Sequence, residues 1–159
     1  MIIVCIDPGA SGAIAVRGET GAVSVHPLKG VVLSDILRSL TDDIDYESNA
    51  RCYVEKNAGY IPGNSGNSAA KFAGGIEYIK GFFAGVQLPL IDVSTRKWAS
   101  IVPGLSSWTG PDNYQKRKLL ALRWAAQRYP RVSCTSPSGL VTKDCGDALC
   151  MLAWAEGQR

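Results

Sequence analysis

Four carboxylates carry the chemistry most legible in this chain. Asp7 sits in IIVCIDPGASGAIAV, Glu55 closes the run RCYVE, and Asp144 and Asp147 form a DxxD pair in KDCGDALCMLAWAE. Each lies beside an apolar segment expected to be buried, where an unpaired carboxylate is costly. Acids gathered in a core need positive charge between them, and a divalent cation is the usual supplier. Such a cluster suits two Mg²⁺ ions about 4 Å apart, one activating a water and the other stabilising a leaving 3′ oxygen. The expected chemistry is metal-dependent phosphoryl transfer, with nucleic acid as the substrate. The competing structural reading is that Asp144 caps its helix and Asp147 pairs with a lysine.

The elements that must hold these acids follow from apolar periodicity. Ile2 to Ile6 is a short β-branched run expected of a central strand. Asp7 to Gly12 is a turn by its Pro and Gly content. Ala13 to Val16 and Ala22 to His26 read as two further strands around a Gly18 to Gly21 turn, making an antiparallel meander. Val32, Leu33, Ile36, Leu37 and Leu40 recur at helical spacing, and an acidic loop from Thr41 to Asn49 follows. Arg51 to Glu55 is the fourth strand and Asn57 to Asn67 a Gly/Asn-rich loop. Phe72, Ile76, Ile79 and Phe83 mark one face of a helix on which Gly74, Gly75 and Gly81 suggest close approach to another backbone. Leu88 to Val93 is the fifth strand, and Ser94 can cap a short helix through Ala99. Pro103 to Pro111 is a loop, and Asp112 can cap a long helix from about Asn113 to Arg128. Pro130 to Thr142 is a second loop before a last helix from about Asp144 to Glu156.

Asp7 and Glu55 each end a strand, so the two acids converge if those strands are neighbours. Asp144 and Asp147, three apart, share one face of the last helix near its N-terminus. Small residues at Cys145, Gly146 and Ala148 let that helix lie close on a sheet. The pattern predicts one α/β domain over 1–159, with a mixed five-stranded sheet whose first three strands are antiparallel, flanked by helices.

At 159 residues the chain can bury a substantial core, and its 46% hydrophobic content is ordinary for a globular protein. No apolar run approaches the roughly 20 residues that span a bilayer, and no basic-then-apolar start suggests a signal peptide. Five cysteines, with no CxxC among them, argue against a disulfide framework or zinc site and for a reducing compartment. Cys5 and Cys52 fall in strand-like runs and are expected to act as small core hydrophobes. His26, the one histidine, is far in sequence from the acids and is expected to be structural or exposed.

The net charge of +3 is unevenly spread: Arg96 to Lys143 holds nine Lys or Arg and a single acid, Asp112. That asymmetry predicts a positive field suited to nucleic acid, or else a solvated basic face. On the helix from Asn113, Leu119, Leu122, Ala126 and Tyr129 are expected to form a buried stripe. Lys116, Arg117, Arg123 and Arg128 lie on the other side, with Leu120 and Trp124 among them. These suit a phosphate backbone, with stacking by Trp124 or its burial under a loop as alternatives. Lys118 falls at the stripe's edge, its stem covered and its charge wet.

The IDPG…G turn after the first strand, the Glu ending the fourth and the DxxDAL helix resemble RuvC-type Holliday junction resolvases, of the ribonuclease H-like superfamily. The resemblance runs over nearly the whole chain. The Pro-Gly-containing loop after Glu55 and the Phe-containing, glycine-rich helix beyond it look most like the phage-borne branch. The resemblance implies a ribonuclease H-like fold and a Mg²⁺-dependent endonuclease (Mn²⁺ substituting) that resolves four-way DNA junctions by paired nicks in recombination and repair. Asp7, Glu55, Asp144 and Asp147 would be its metal-binding catalytic acids. Lysines near the scissile phosphate are also implied; Lys97 and Lys116 fall in the right region. Lys116 is preferred, because a helix start is a rigid mount. Tyr60 would stack at the junction, and Arg96, Lys97, Lys116, Arg117 and Arg123 would meet DNA. A two-fold junction cut twice implies a homodimer, with the helix from Asn67 to Ala84 as the expected interface. The implied setting is the cytoplasm of a bacterial cell or phage-infected host, with branch-migration machinery as a further partner.

Three other readings stand beside this one. Another ribonuclease H-like nuclease would act on RNA–DNA hybrids or branched DNA. DPGxSG after an N-terminal strand also resembles the phosphate loop of actin-like sugar kinases and ATPases, which need two such domains. A catalytically idle junction-binding protein is the last, and the presence of all four acids argues against it.

Overall fold

The computed structural model describes residues 1–9, 12–29, 32–42, 50–56, 66–107, 113–133 and 145–158. Five strands run as β1 (Ile2–Asp7), β2 (Ala13–Arg17), β3 (Val23–Pro27), β4 (Ala50–Lys56) and β5 (Leu90–Ser94). The helices are α1 (Leu33–Asp42), α2 (Gly66–Gly85), α3 (Thr95–Ala99), α4 (Tyr114–Arg128) and α5 (Cys145–Glu156). The strands make one sheet in the order β3-β2-β1-β4-β5. β1 pairs antiparallel with β2, and β2 with β3, as a meander. β4 lies parallel to β1, with Ile6 opposite Val54, and β5 lies parallel to β4. The expected mixed sheet and its antiparallel first half are present, and the first and fourth strands are neighbours.

Alternation along the strands splits the core into two layers. Ile2, Val4, Ile6, Ile14, Cys52 and Val54 face one side and pack with Leu37 and Leu40 of α1 and Ile79 and Phe83 of α2. Ile3, Cys5, Ala15, Tyr53 and Val93 face the other and pack with α3, α4 and α5. The sheet is thus covered on both faces, as parallel pairing requires. α5 is sheathed on nearly every side, with Cys145, Gly146, Ala148, Leu149, Cys150, Met151, Leu152 and Ala155 all buried. Its small residues allow that depth. Tyr53 meets Trp154 edge to face at 5.7 Å, a favoured aromatic geometry.

Cys5 and Cys52 are buried, unbridged core residues. Burial holds the Cys5 thiol well above its usual range and pushes Cys52 up to about 12. His26 is half-buried with its Nε2 3.2 Å from Ser24 Oγ, a structural placement. Among the described residues, no helix is long and apolar enough to cross a membrane.

Three local expectations are corrected. Ser94 occupies the N-cap of α3 but its side chain makes no capping hydrogen bond. The segment after Pro103 contains a 3-10 turn, Leu105–Ser107, and Leu105 there is a core residue. Among the described residues, no atom lies within 4 Å of where a Cβ would stand at Gly74, Gly75 or Gly81, so the other backbone expected there is not one of this chain's described segments. The buried residues of α4 are Ala121 and Ala125 rather than Leu119, Leu122 and Ala126. Leu120 and Trp124, placed on the outer side by sequence, are partly buried against the core.

Candidate active site

The alternation that builds the sheet also aims the acids. Asp7 continues the series Ile3, Cys5, and Glu55 continues Tyr53, so both carboxylates point to the face covered by α3, α4 and α5. They stand one position beyond the Ile6–Val54 pair, on adjacent parallel strands. Both are buried, at 5% and 6% exposure. Asp147, in the first turn of α5, enters from the covering layer.

A close helix crossing brings the fourth group. A Cβ at Gly146 would lie 2.6 Å from Leu122 N and 2.7 Å from Leu122 Cα, so only glycine fits where α5 crosses α4. One helical turn before that crossing, Lys118 reaches in. Its Nζ lies 2.7 Å from Asp147 Oδ2 and 3.3 Å from Asp7 Oδ2. It is 11% exposed. Lys116, preferred as the catalytic lysine from sequence, is exposed on α4, and Lys118 takes the inward position instead. The pairing of Asp147 with a lysine, set against metal binding in the sequence reading, is present, but that lysine also grips Asp7.

Each acid has a distinct set of supports. Asp7 Oδ1 accepts the Gly9 N–H at 3.3 Å. The turn beyond it is tight: Gly12 N–H donates to Gly9 O at 2.7 Å, and a Cβ at Gly12 would fall 2.0 Å from Asp7 O. Glu55 Oε1 accepts from Thr95 Oγ1 at 2.6 Å and from Trp98 Nε1 at 3.3 Å. Sequence reasoning missed these two donors. Their signal was an i, i+3 Thr and Trp pair on the short helix directly after the strand beside Glu55. Burial, then the Asp7 charge, raise the Glu55 carboxyl from 4.5 to about 7; the Thr95 hydrogen bond and Lys118 oppose that, and Asp147 adds to it. These mutual effects show that the three acids and Lys118 form one electrostatic unit.

An oxygen-only donor set is the chemistry of a hard divalent cation. Among the described residues, no three His, Cys, Asp or Glu groups stand ready to hold a metal ion. Asp7 and Asp147 instead share the Lys118 ammonium, and Glu55 turns one oxygen to Thr95 and Trp98. A buried and a half-buried carboxylate already bracketing one positive charge fit a cation in kind. Asp144 lies outside the described residues, as does Tyr60.

The expected DNA-contacting residues sit around this unit. Arg96 and Lys97 are exposed on α3, between the two residues that hold Glu55. Lys116 and Arg123 are exposed on α4. Arg117 is half-buried, and its Nε has no hydrogen-bond partner. Arg128 departs from this group and pairs with Glu156 at 3.4 Å.

No family model matches the chain, and no curated protein is significantly similar to it in sequence. Solved structures are similar in shape. Thermus thermophilus RuvC in complex with a Holliday junction substrate superposes with a TM-score of 0.57 at 12% identity, over 99% of this chain and 96% of that one. A second Thermus thermophilus RuvC structure gives a TM-score of 0.51 at 13% identity, over 99% and 97%. A likeness at such identity establishes the fold, and that fold is the ribonuclease H-like α/β architecture of RuvC.

Proposed function

We propose that this protein is a divalent-cation-dependent endonuclease acting on four-way DNA junctions. The observation that carries the reading is the convergence of Asp7, Glu55 and Asp147 around Lys118, at the ends of two adjacent parallel strands. The fold is shared with a RuvC structure that holds a Holliday junction substrate. Asp7, Glu55, Asp147 and, from the adjoining segment, Asp144 would hold the cation, Mg²⁺ or Mn²⁺. When bound, that cation supplies the positive charge that phosphodiester hydrolysis needs.

The chain's own residues have separable tasks. Asp7 and Asp147 orient the Lys118 ammonium, which can also meet a phosphate oxygen. Thr95 and Trp98 hold Glu55. Arg96, Lys97, Lys116, Arg117 and Arg123 are the proposed phosphate-backbone contacts, and Tyr60 the proposed stacking residue; such contacts position a duplex without reading its sequence. Two matched nicks on a two-fold substrate require two sites, so a homodimer completes the reading.

The test is nicking of a labelled immobile four-way junction beside linear duplex and an RNA–DNA hybrid, with Mg²⁺ and with EDTA. The expected result is paired, metal-dependent cuts near the crossover and none in the linear duplex. Asp7→Asn should lose cleavage by a factor of roughly a hundred or more, given the weight of electrostatic stabilisation at such sites, while still binding the junction. Cleavage of the hybrid alone would move the protein to the other ribonuclease H-like reading. Undiminished cutting by Asp7→Asn would refute the site.

A further inference from the structure

Glu55 is held by donors from one short helix. Its Oε1 accepts two side-chain donors at once, the Thr95 hydroxyl at 2.6 Å and the Trp98 indole N–H at 3.3 Å. Among the described residues, Oε2 receives no hydrogen bond. The donors come from one rigid source. Thr95 and Trp98 are i, i+3 on α3, so they project from the same side of that helix. α3 begins where β5 ends, and β5 is the parallel neighbour of β4, with Val93 opposite Glu55 and Ser94 opposite Lys56. The two donors are therefore fixed to the carboxylate through sheet hydrogen bonds on one side. On the other side, packing fixes them, since Trp98 is 1% exposed and belongs to the core layer that includes Val93 and Leu149.

A phenylalanine at 98 would keep an aromatic ring in that layer, at a smaller volume. What the indole adds is its N–H, a donor with no acceptor function, which a buried position must satisfy. Its partner is the acid rather than a backbone carbonyl. A carboxylate tied at one oxygen by two donors is restricted in plane and rotamer, and its other oxygen stays available for a ligand. The Thr95 hydrogen bond also favours the charged form of a group that burial pushes toward neutrality.

Resting on the reading of Glu55 as a cation ligand, we propose that Thr95 and Trp98 are positioning residues that lock Glu55 for one-oxygen ligation of a divalent cation. They touch neither the cation nor the substrate. Their effect is on the orientation and charge of the ligand, as outer partners of metal-bound carboxylates act generally.

The test is Mn²⁺ binding by the full chain, followed by calorimetry and by electron paramagnetic resonance of free Mn²⁺, without substrate. Trp98→Phe deletes the indole N–H and keeps the ring; Thr95→Val deletes the hydroxyl and keeps the shape. Each should weaken Mn²⁺ binding, by roughly ten- to a hundredfold if these partners behave as such groups usually do. Thr95→Ser should restore parent affinity. In a Glu55→Gln background the two substitutions should add nothing further, because residues acting through one group are not additive. Should Trp98→Phe not fold, Thr95→Val and Thr95→Ser carry the comparison alone. Parent-like Mn²⁺ affinity in both deletion variants overturns the proposal and leaves the cation site standing. Absence of Mn²⁺ binding by the parent protein overturns the cation reading itself, and the proposal falls with it.

Discussion

At the scale of single residues, Glu55 has the most to say. Its position was legible in sequence because a strand aims alternate side chains to one face, and RCYVE ends on the same parity as Tyr53. Its partners went unread although Thr95 and Trp98 form an i, i+3 pair, because they lie 40 and 43 residues on and sheet order is what assigns that pair to Glu55. The consequence of its burial can be measured. The native carboxyl titrates at about 7 against 4.5 ordinarily. Between those values the native state keeps a proton that the unfolded chain has released. Stability therefore falls as pH rises through that interval, and the loss is complete above about 7. For this group alone the loss is at most roughly 3 kcal/mol. Urea unfolding in EDTA, from about pH 5 to pH 8, should show that decline in the parent protein. Glu55→Gln, which keeps an oxygen for Thr95 and Trp98, should lack it. Parallel pH profiles for the two proteins would remove Glu55 as the source.

At the scale of elements, α4 shows where sequence reasoning loses its hold. Apolar size favours a stripe through Leu119 and Leu122, yet Ala121 and Ala125 are the residues buried. The phase of α4 is set by the partner helix. Gly146 admits the α4 backbone at contact distance, and such a crossing selects small residues on the facing helix, where leucines would hold the axes apart. Rotating the helix to that phase carries Lys118 inward to Asp7 and Asp147 and leaves Lys116 outside. Asp147 was readable from its motif; the lysine that answers it was not, because no local pattern encodes an interhelical distance. Gly146→Ala tests this directly. Its methyl would meet Leu122 and Ala121 backbone at 2.6–3.0 Å, and helix backbones cannot yield as a flexible side chain does. The variant should be destabilised by about 1–3 kcal/mol, read as a lower urea midpoint with an unchanged slope. An unchanged midpoint would mean that α4 and α5 are not pinned at this crossing.

At the scale of the whole molecule, the mixed sheet with its antiparallel first half and flanking helices was legible in sequence, since strand alternation and helical apolar faces are local patterns. Which helix covers which face was not, because that depends on surfaces meeting. The outer face of α2 is the remaining such surface. Ala73, Gly74, Tyr78, Gly81, Ala84 and Gly85 are all exposed there, along one side of a 20-residue helix, while Ile79 and Phe83 hold the other side in the core. Glycine in an exposed helix costs about 0.5–1 kcal/mol relative to alanine, and open space beside Gly74, Gly81 and Gly85 gives no reason for it among the described residues. A second copy packed closely on this face would supply one, and the paired-nick reading needs a second copy. Gly81→Arg puts a bulky charge at the middle of that face. By light scattering, the parent protein should be a dimer and the variant a monomer. On a four-way junction the variant should give single, uncoupled nicks. The variant chain itself should fold at least as well as the parent, since arginine is the better helix former. A parent protein that is monomeric, or a Gly81→Arg dimer of undiminished strength, would clear α2 of this role and move the search for the interface elsewhere on the molecule.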